Sequence, residues 1–161
     1  MGTRDAMPAS DQHGQDASLV DRFRELHRLS IAEQTDYATL YTDYLSTGCR
    51  LFGLDGGIVS RVVDNEYVIL AVWPGDGAFA AGDSFPVQDT YCAWVVEHGA
   101  PVAVGRVGAS RSGACHPVYE STGREAYIAA PIRVDGELFG TLSFTGRAAR
   151  AAGFDETDVE L

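Results

Sequence analysis

Residues able to do chemistry crowd between positions 91 and 127: Tyr91 and Cys92 in DTYCAWVVEH, Cys115, His116 and Tyr119 in CHPVY, and Tyr127 in AYIAAPI. Thiols, phenols and an imidazole in such company suit reversible thiol chemistry or the polar lining of a small-molecule pocket. Tyr91, Cys92, Val95 and Val96 form a short apolar stretch that runs to Gly99 and is stopped by Pro101. That pattern predicts a helix with Cys92 close to its N-terminus and Asp89 or Thr90 as its cap. The plain reading of such a cysteine is a small buried hydrophobe. The sharper reading is a pocket-lining thiol whose ionised form the positive end of the helix favours, making it redox-responsive or nucleophilic. Cys115 lies in a polar, glycine-containing stretch, a poor place for a core residue, and a protonated His116 beside it would favour thiolate.

Other reactive residue types are less suggestive. His13 falls in a polar tail, and His27 and His98 fall on expected helix surfaces or ends. Trp73, Trp94, Tyr119 and Tyr127 read as packing residues, although the buried phenols of Tyr91 and Tyr127 would seek partners that a ligand can supply. Arg106, Arg111 and Arg124 flank the central loop, where a guanidinium would neutralise an acidic ligand; solvation at the surface is the blander alternative. The carboxylates are scattered, and no pair of them invites a general acid and base assignment.

Composition removes whole classes of function. The net charge of -11 argues against nucleic acid as a partner, because phosphate-backbone affinity rests on basic side chains. All 12 basic residues are arginine, so there is no lysine for a phosphate-binding loop, a Schiff base or a kinase active site. The 3 cysteines cannot all pair within the chain and nothing marks it as secreted, so they read as reduced thiols in a cytoplasmic protein. No close spacing of cysteine and histidine suggests a metal site. The longest apolar run, Tyr67 to Trp73, is far short of the roughly 18 residues of a membrane span.

These residues need elements to hold them. The 161 residues suffice for one domain with a single core, expected over 17–161 behind a disordered tail over 1–16. Apolar spacing predicts amphipathic helices over Ser18 to Ser30 and Tyr37 to Phe52. Gly57 to Val63 and Glu66 to Trp73 flank Asp64-Asn65 and read as a hairpin, and Ala126 to Val134 and Glu137 to Phe144 form another around Asp135-Gly136. Between them lie a glycine-rich loop (Pro74 to Gly82), a short strand near Ser84 to Pro86, the Cys92 helix, a strand at Val102 to Val104, an irregular GRVGASRSGA, and a loop or short helix around His116 to Ser121. Asp155 as N-cap with Asp158 at the capping-box position starts a helix that is unfinished at Leu161, as in a domain cut from a longer protein. The order of elements predicts an α+β fold, an antiparallel sheet covered by helices.

Together, Asp89-Thr90-Tyr91-Cys92, His116-Pro117-x-Tyr119, Ala126 to Ile132 and Gly140-Thr141-Leu142-Ser143-Phe144 resemble a GAF domain, the sensory module of histidine kinases, diguanylate cyclases and transcription regulators. The likeness is to a subgroup with a Thr-Tyr-Cys helix and a His-Pro-x-Tyr loop. It implies a GAF/PAS-like sheet of about six strands. It also implies a pocket between one sheet face and the Cys92 to His116 segments, where a small-molecule ligand would meet Tyr91, Cys92, Cys115, His116, Tyr119 and Tyr127. The expected role is regulatory and non-catalytic: ligand or thiol oxidation biases a linked output domain, through a homodimer joined by the first and last helices. Two alternatives stand beside it. Cys115-His116-x-x-Tyr119 looks like the attachment sequence of bilin-binding phytochromes, with a thioether at Cys115, though Glu120 replaces the usual leucine. Free methionine-R-sulfoxide reductases carry cysteines at positions resembling Cys92 and Cys115, though here His116 stands where they have an acidic residue.

Overall fold

The computed structural model describes residues 36–75 and 78–160, together with Asp21, Arg22 and Arg24. Those three are helical, belong to a separate unit, and include an Arg24–Asp21 ion pair of 3.0 Å. The tail expected over 1–16, the rest of the helix expected from Ser18, and His13 and His27 lie outside the described residues.

Helix α1 spans Tyr37–Phe52, as its apolar spacing requires. Asp36 caps it: its carboxylate accepts from the Thr39 N–H at 2.8 Å and the Thr39 hydroxyl at 2.9 Å. Those two bonds hold the Asp36 carboxyl below its ordinary range. Gly53, left-handed at φ 64°, ends the helix by turning its N–H onto the Arg50 and Cys49 carbonyls.

Two hairpins build most of the sheet. Strands β1 (Gly56–Val63) and β2 (Glu66–Trp73) turn through Asp64 and Asn65 at φ 49° and 67°. Strands β5 (Ala126–Val134) and β6 (Glu137–Gly146) turn through Asp135 and Gly136 at φ 52° and 83°. Both loops need positive φ at two consecutive residues, which Asp, Asn and Gly tolerate. Strands β3 (Ser84–Pro86) and β4 (Val102–Val104) are short and occupy the two edges. The order is β3-β2-β1-β6-β5-β4, antiparallel throughout, so the hairpins meet through β1 and β6 at the centre. The fold is the α+β arrangement expected. Its central pairing is longer than the sequence indicated: β1 begins at Gly56 and β6 runs on to Gly146, because Gly56 pairs with Thr145.

Four short helices complete the described chain: α2 (Cys92–His98), α3 (Arg111–Ala114), α4 (Pro117–Thr122) and α5 (Glu156–Glu160). The expected capping of α2 by Asp89 or Thr90 is not what forms. Val87–Asp89 is a 3-10 turn that leads into the helix with Tyr91 already helical, and the Thr90 hydroxyl donates backward to the Val87 carbonyl at 2.8 Å. The segment that looked irregular is ordered by Ser110, whose hydroxyl accepts from the Gly113 N–H at 3.0 Å. Gly113 has no room for a side chain there, because a Cβ would strike the Val107 carbonyl. At the C-terminal end the capping box forms: Asp155 Oδ1 accepts from the Asp158 N–H at 2.9 Å, and Asp158 Oδ2 from the Asp155 N–H at 3.1 Å. Arg150 ties this turn to α1, donating to Asp158 at 2.8 Å and to the Phe52 carbonyl at 2.6 Å.

Alternation along the strands divides the interior into two layers. On one face, Val59, Ile128 and Phe144 pack under Leu45 and Cys49 of α1. Gly48 lets the helix settle directly onto the Phe144 ring, where a Cβ would collide. On the other face, Tyr67, Ile69, Tyr127 and Ala129 meet Cys92 and Val95 of α2, with Val87 and Val107 closing the edges. Leu45 and Val95 are fully buried. Each such side chain contributes roughly 1.5–3 kcal/mol by leaving water.

Candidate functional site

The second face is not filled. A cavity of about 370 Å³ lies between the sheet and the segments over it. Its floor is made by Gly56, Ile58, Tyr67, Ile69, Tyr127 and Ser143, which point the same way because they alternate along β1, β2, β5 and β6. The edge strand β3 adds Phe85 beside Tyr67, and the roof comes from short pieces of chain: Phe79 of the loop before β3, Thr90 to Cys92 entering α2, and Pro117, Val118 and Ser121 of α4. The lining is mostly apolar with a few convergent polar groups, the usual character of a small-ligand site.

Cys92 sits at the centre of the polar part. The Tyr127 hydroxyl donates to its Sγ at 3.3 Å and the Thr141 hydroxyl at 3.1 Å. Thr141 is held in turn by Ser60, through a hydroxyl contact of 2.8 Å and its own N–H donating to Ser60 Oγ at 3.2 Å. Tyr67 joins the same network through Cys92, Ser60 and Ser143. Burial first, and then the neighbouring thiol, push the phenols of Tyr67 and Tyr127 well above their ordinary value, so both remain protonated donors. Cys92 is therefore more than a small hydrophobe, because two fixed hydroxyls satisfy its sulfur within 3% exposure.

Tyr91 heads an aromatic group beside this network. Its ring stacks on Trp94 at 5.2 Å and 10°, with His116 at 4.8 Å and Tyr127 at 5.3 Å. Its hydroxyl donates to the Arg124 carbonyl at 2.9 Å. Burial, followed by the Glu125 charge, pushes the phenol up to about 12.

The other three expected site residues do not line the cavity. His116 caps α4, its Nδ1 accepting from the Val118 N–H at 3.2 Å, with Pro117 at the first helical position. Partial burial lowers its pKa, against the opposing pull of the Thr90 backbone and Asp89. Burial thus disfavours the protonated form of this imidazole. Cys115 ends α3 and is exposed. Tyr119 turns toward Glu125, donating to Oε1 at 2.7 Å, while the Gly108 N–H donates to Oε2 at 3.1 Å. These bonds, Tyr119 first, hold the Glu125 carboxyl below its usual range and clamp α4 to the turn at Val107. Of the six, Tyr91, Cys92 and Tyr127 line the cavity; Cys115, His116 and Tyr119 are not among its lining residues.

Sequence reasoning gave no site role to Ser60, Thr141 or Ser143, the last two entering only within the Gly140 to Phe144 segment. The signal was present in the alternation Thr141-Leu142-Ser143-Phe144-Thr145, which puts hydroxyls on one face and large apolar groups on the other. Among the described residues, no group of His, Cys, Asp or Glu is arranged to hold a metal ion, and no helix is long and apolar enough to cross a membrane.

A family model described as GAF domain matches residues 36–161. Among solved structures, the free methionine-R-sulfoxide reductase from Neisseria meningitidis in complex with its substrate is similar at TM-score 0.67 and 22% identity, covering 98% of this chain and 87% of that one. The GAF domain of a phosphoenolpyruvate-protein phosphotransferase from Coxiella burnetii gives TM-score 0.68 at 15% identity, covering 89% of this chain and 84% of that one. The chromophore-binding domain of an unusual bacteriophytochrome from R. palustris gives TM-score 0.68 at 14% identity, covering 98% of this chain and 62% of that one. At these identities the likenesses show the fold alone. No curated protein matches the chain.

Proposed function

Because the chain belongs to the GAF domain family, its residues 36–161 matching that family's model, we propose that it is a regulatory sensor module binding a small organic ligand in the cavity between β1, β2, β5, β6 and the α2–α4 roof. The observation that carries this reading is the cavity itself, about 370 Å³ of mostly apolar space with Cys92, Tyr91 and Tyr127 at one wall. Floor and roof differ in kind. The floor is four hydrogen-bonded strands, whereas the roof is short helices and loops, the part of a fold that rearranges at least cost. A ligand with more contacts to one roof arrangement shifts the population toward it, by no more than its differential affinity for the two. The roof shift reaches the opposite layer through Tyr127 and Ser143, whose strand neighbours Ile128 and Phe144 seat α1. A linked output domain would read the position of the outer helices, and a homodimer is one arrangement in which it does so.

The thiols that a sulfoxide-reducing or bilin-bearing alternative would use stand in unlike places, Cys92 buried at the cavity wall and Cys115 exposed. The ligand-sensor reading needs neither to react. It is tested with Nile red, a neutral apolar dye. Saturable uptake by the full chain, abolished in Ile58→Trp without loss of folding, is the expected result. Uptake undiminished in that variant would sink the assignment.

A further inference from the structure

The cavity has a charged end. Arg124 is its one positively charged lining residue among those described, and its side chain is 13% exposed. Nη1 donates to Asp55 Oδ1 at 2.6 Å, and the second Asp55 oxygen is held by the Arg147 N–H at 3.1 Å. That arm of the guanidinium is thereby fixed, while Nε and Nη2 have no partner among the described residues. Gly56 lets the guanidinium and the Thr145 hydroxyl lie close over its backbone: a Cβ there would already press on Arg124 Nη1 at 3.3 Å and stand 3.5 Å from Thr145 Oγ1. Gly56 and Thr145 are register partners, and both alternate onto the cavity face, with Ile58 and Ser143 respectively. A cation and a hydroxyl thus stand together at one end of a cavity whose walls include Ile58, Ile69, Val72, Phe79 and Phe85.

We infer that the ligand of this cavity is a monocarboxylate with an apolar, ring-sized body, its carboxylate held at the Arg124 and Thr145 end by the guanidinium nitrogens that Asp55 leaves open; the inference rests on the ligand-sensor reading above. A guanidinium fork matches one carboxylate in shape and charge. Asp55 already takes one arm, but its side chain is 53% exposed and its pairing is weakened by solvent, unlike that of a carboxylate inside the cavity. A phosphate ester fits poorly. Its second charge needs further cations, the chain has no lysine, and the remaining charged lining residue is Asp89. The net charge of -11 adds repulsion that a monoanion feels least.

The test compares naphthalene-2-acetate with naphthalene-2-acetamide, equal in shape and different in charge, by calorimetry on the full chain. The acid is expected to bind at least about tenfold more tightly, the effect of a charge-assisted bond over a neutral one. Arg124→Gln, in a chain that still unfolds cooperatively in urea, should remove that preference by bringing the acid down to the level of the amide, and Arg124→Lys should restore part of it. Thr145→Val should reduce it by a smaller factor. The preference should also vanish as pH falls through the ordinary carboxyl range of the ligand. Equal binding of acid and amide, or a preference that survives Arg124→Gln, overturns the inference and leaves the cavity reading intact. If neither compound binds to a chain that takes up Nile red, the inference fails in the same way. If Nile red fails as well, the sensor reading fails with it.

Discussion

The same four strands face two unlike neighbours. Toward α1 they present Val59, Ile128, Leu142 and Phe144, and the helix closes on them so tightly that residue 48 is glycine. Toward α2 and α4 they present Ser60, Tyr67, Tyr127, Thr141 and Ser143, and the roof stands off far enough to leave a cavity. The first layer is filled by Leu45, Val59, Ile128 and Phe144 in direct contact, so its work is stability. The second gives up packing contacts and keeps hydroxyls, a pattern that suits recognition and costs stability.

Two buried cysteines, one in each layer, give the largest contrast. In a Cys115→Ser background, methyl methanethiosulfonate should modify Cys92 through the cavity. It should reach Cys49 only on unfolding, slower by about a thousandfold or more. Cys49 is further protected because burial, with the Asp55 charge, pushes its thiol up to about 12. Mass mapping of the two sites at intervals measures this, and similar rates would erase the distinction between the layers. Next in size is Leu45→Ala, which deletes a fully buried side chain from the tight layer. It should cost about 3 kcal/mol in urea unfolding, while Nile red uptake per folded molecule stays constant. Thr141→Val should cost about 1 kcal/mol, because it removes the hydroxyl between Ser60 and Cys92 and keeps the shape. A double-mutant cycle with Cys92→Ala should show that the two losses are not additive.

The smallest effect is a slope with pH. Burial depresses the folded-state pKa of His116 below its unfolded value. Its contribution to stability is therefore full above the unfolded value of about 6.5 and declines as pH falls through the folded one. Titration of the His116 ring by NMR should place its midpoint below the ordinary histidine value of about 6.5, and His116→Gln should flatten the slope. A midpoint above about 6.5 would contradict the burial of the ring beside Tyr91 and Trp94.

Much of the tight layer was legible in the sequence. Helical spacing marked Tyr37 to Phe52, and Asp-Asn and Asp-Gly marked the two turns, because local sterics decide both. The cavity layer was legible in part. Tyr91, Cys92 and Tyr127 converge because the register of β5 brings Tyr127 under the start of α2. Cys115 and His116 are neighbours in sequence, but the turn at Arg111–Ala114 leaves the thiol exposed and the imidazole capping α4. Adjacency along the chain says little about direction. The hydroxyls of Ser60 and Thr141 passed unremarked because a polar residue on a strand reads as facing water, and only the tertiary fold shows them facing a roof. Arg150, which joins residues far apart in the chain, had no local signal at all.

Strand β6 is read twice, by a helix on one side and by a cavity on the other, from residues that take turns along its length. Point substitutions at Thr141, Ser143 and Thr145 can therefore alter what is recognised while Leu142 and Phe144 go on seating the helix. A single inserted or deleted residue has no such freedom, since it would exchange the two roles beyond it at once. On the proposed sensor reading, the ligand can change with the letters of this strand, but not with the spacing between them.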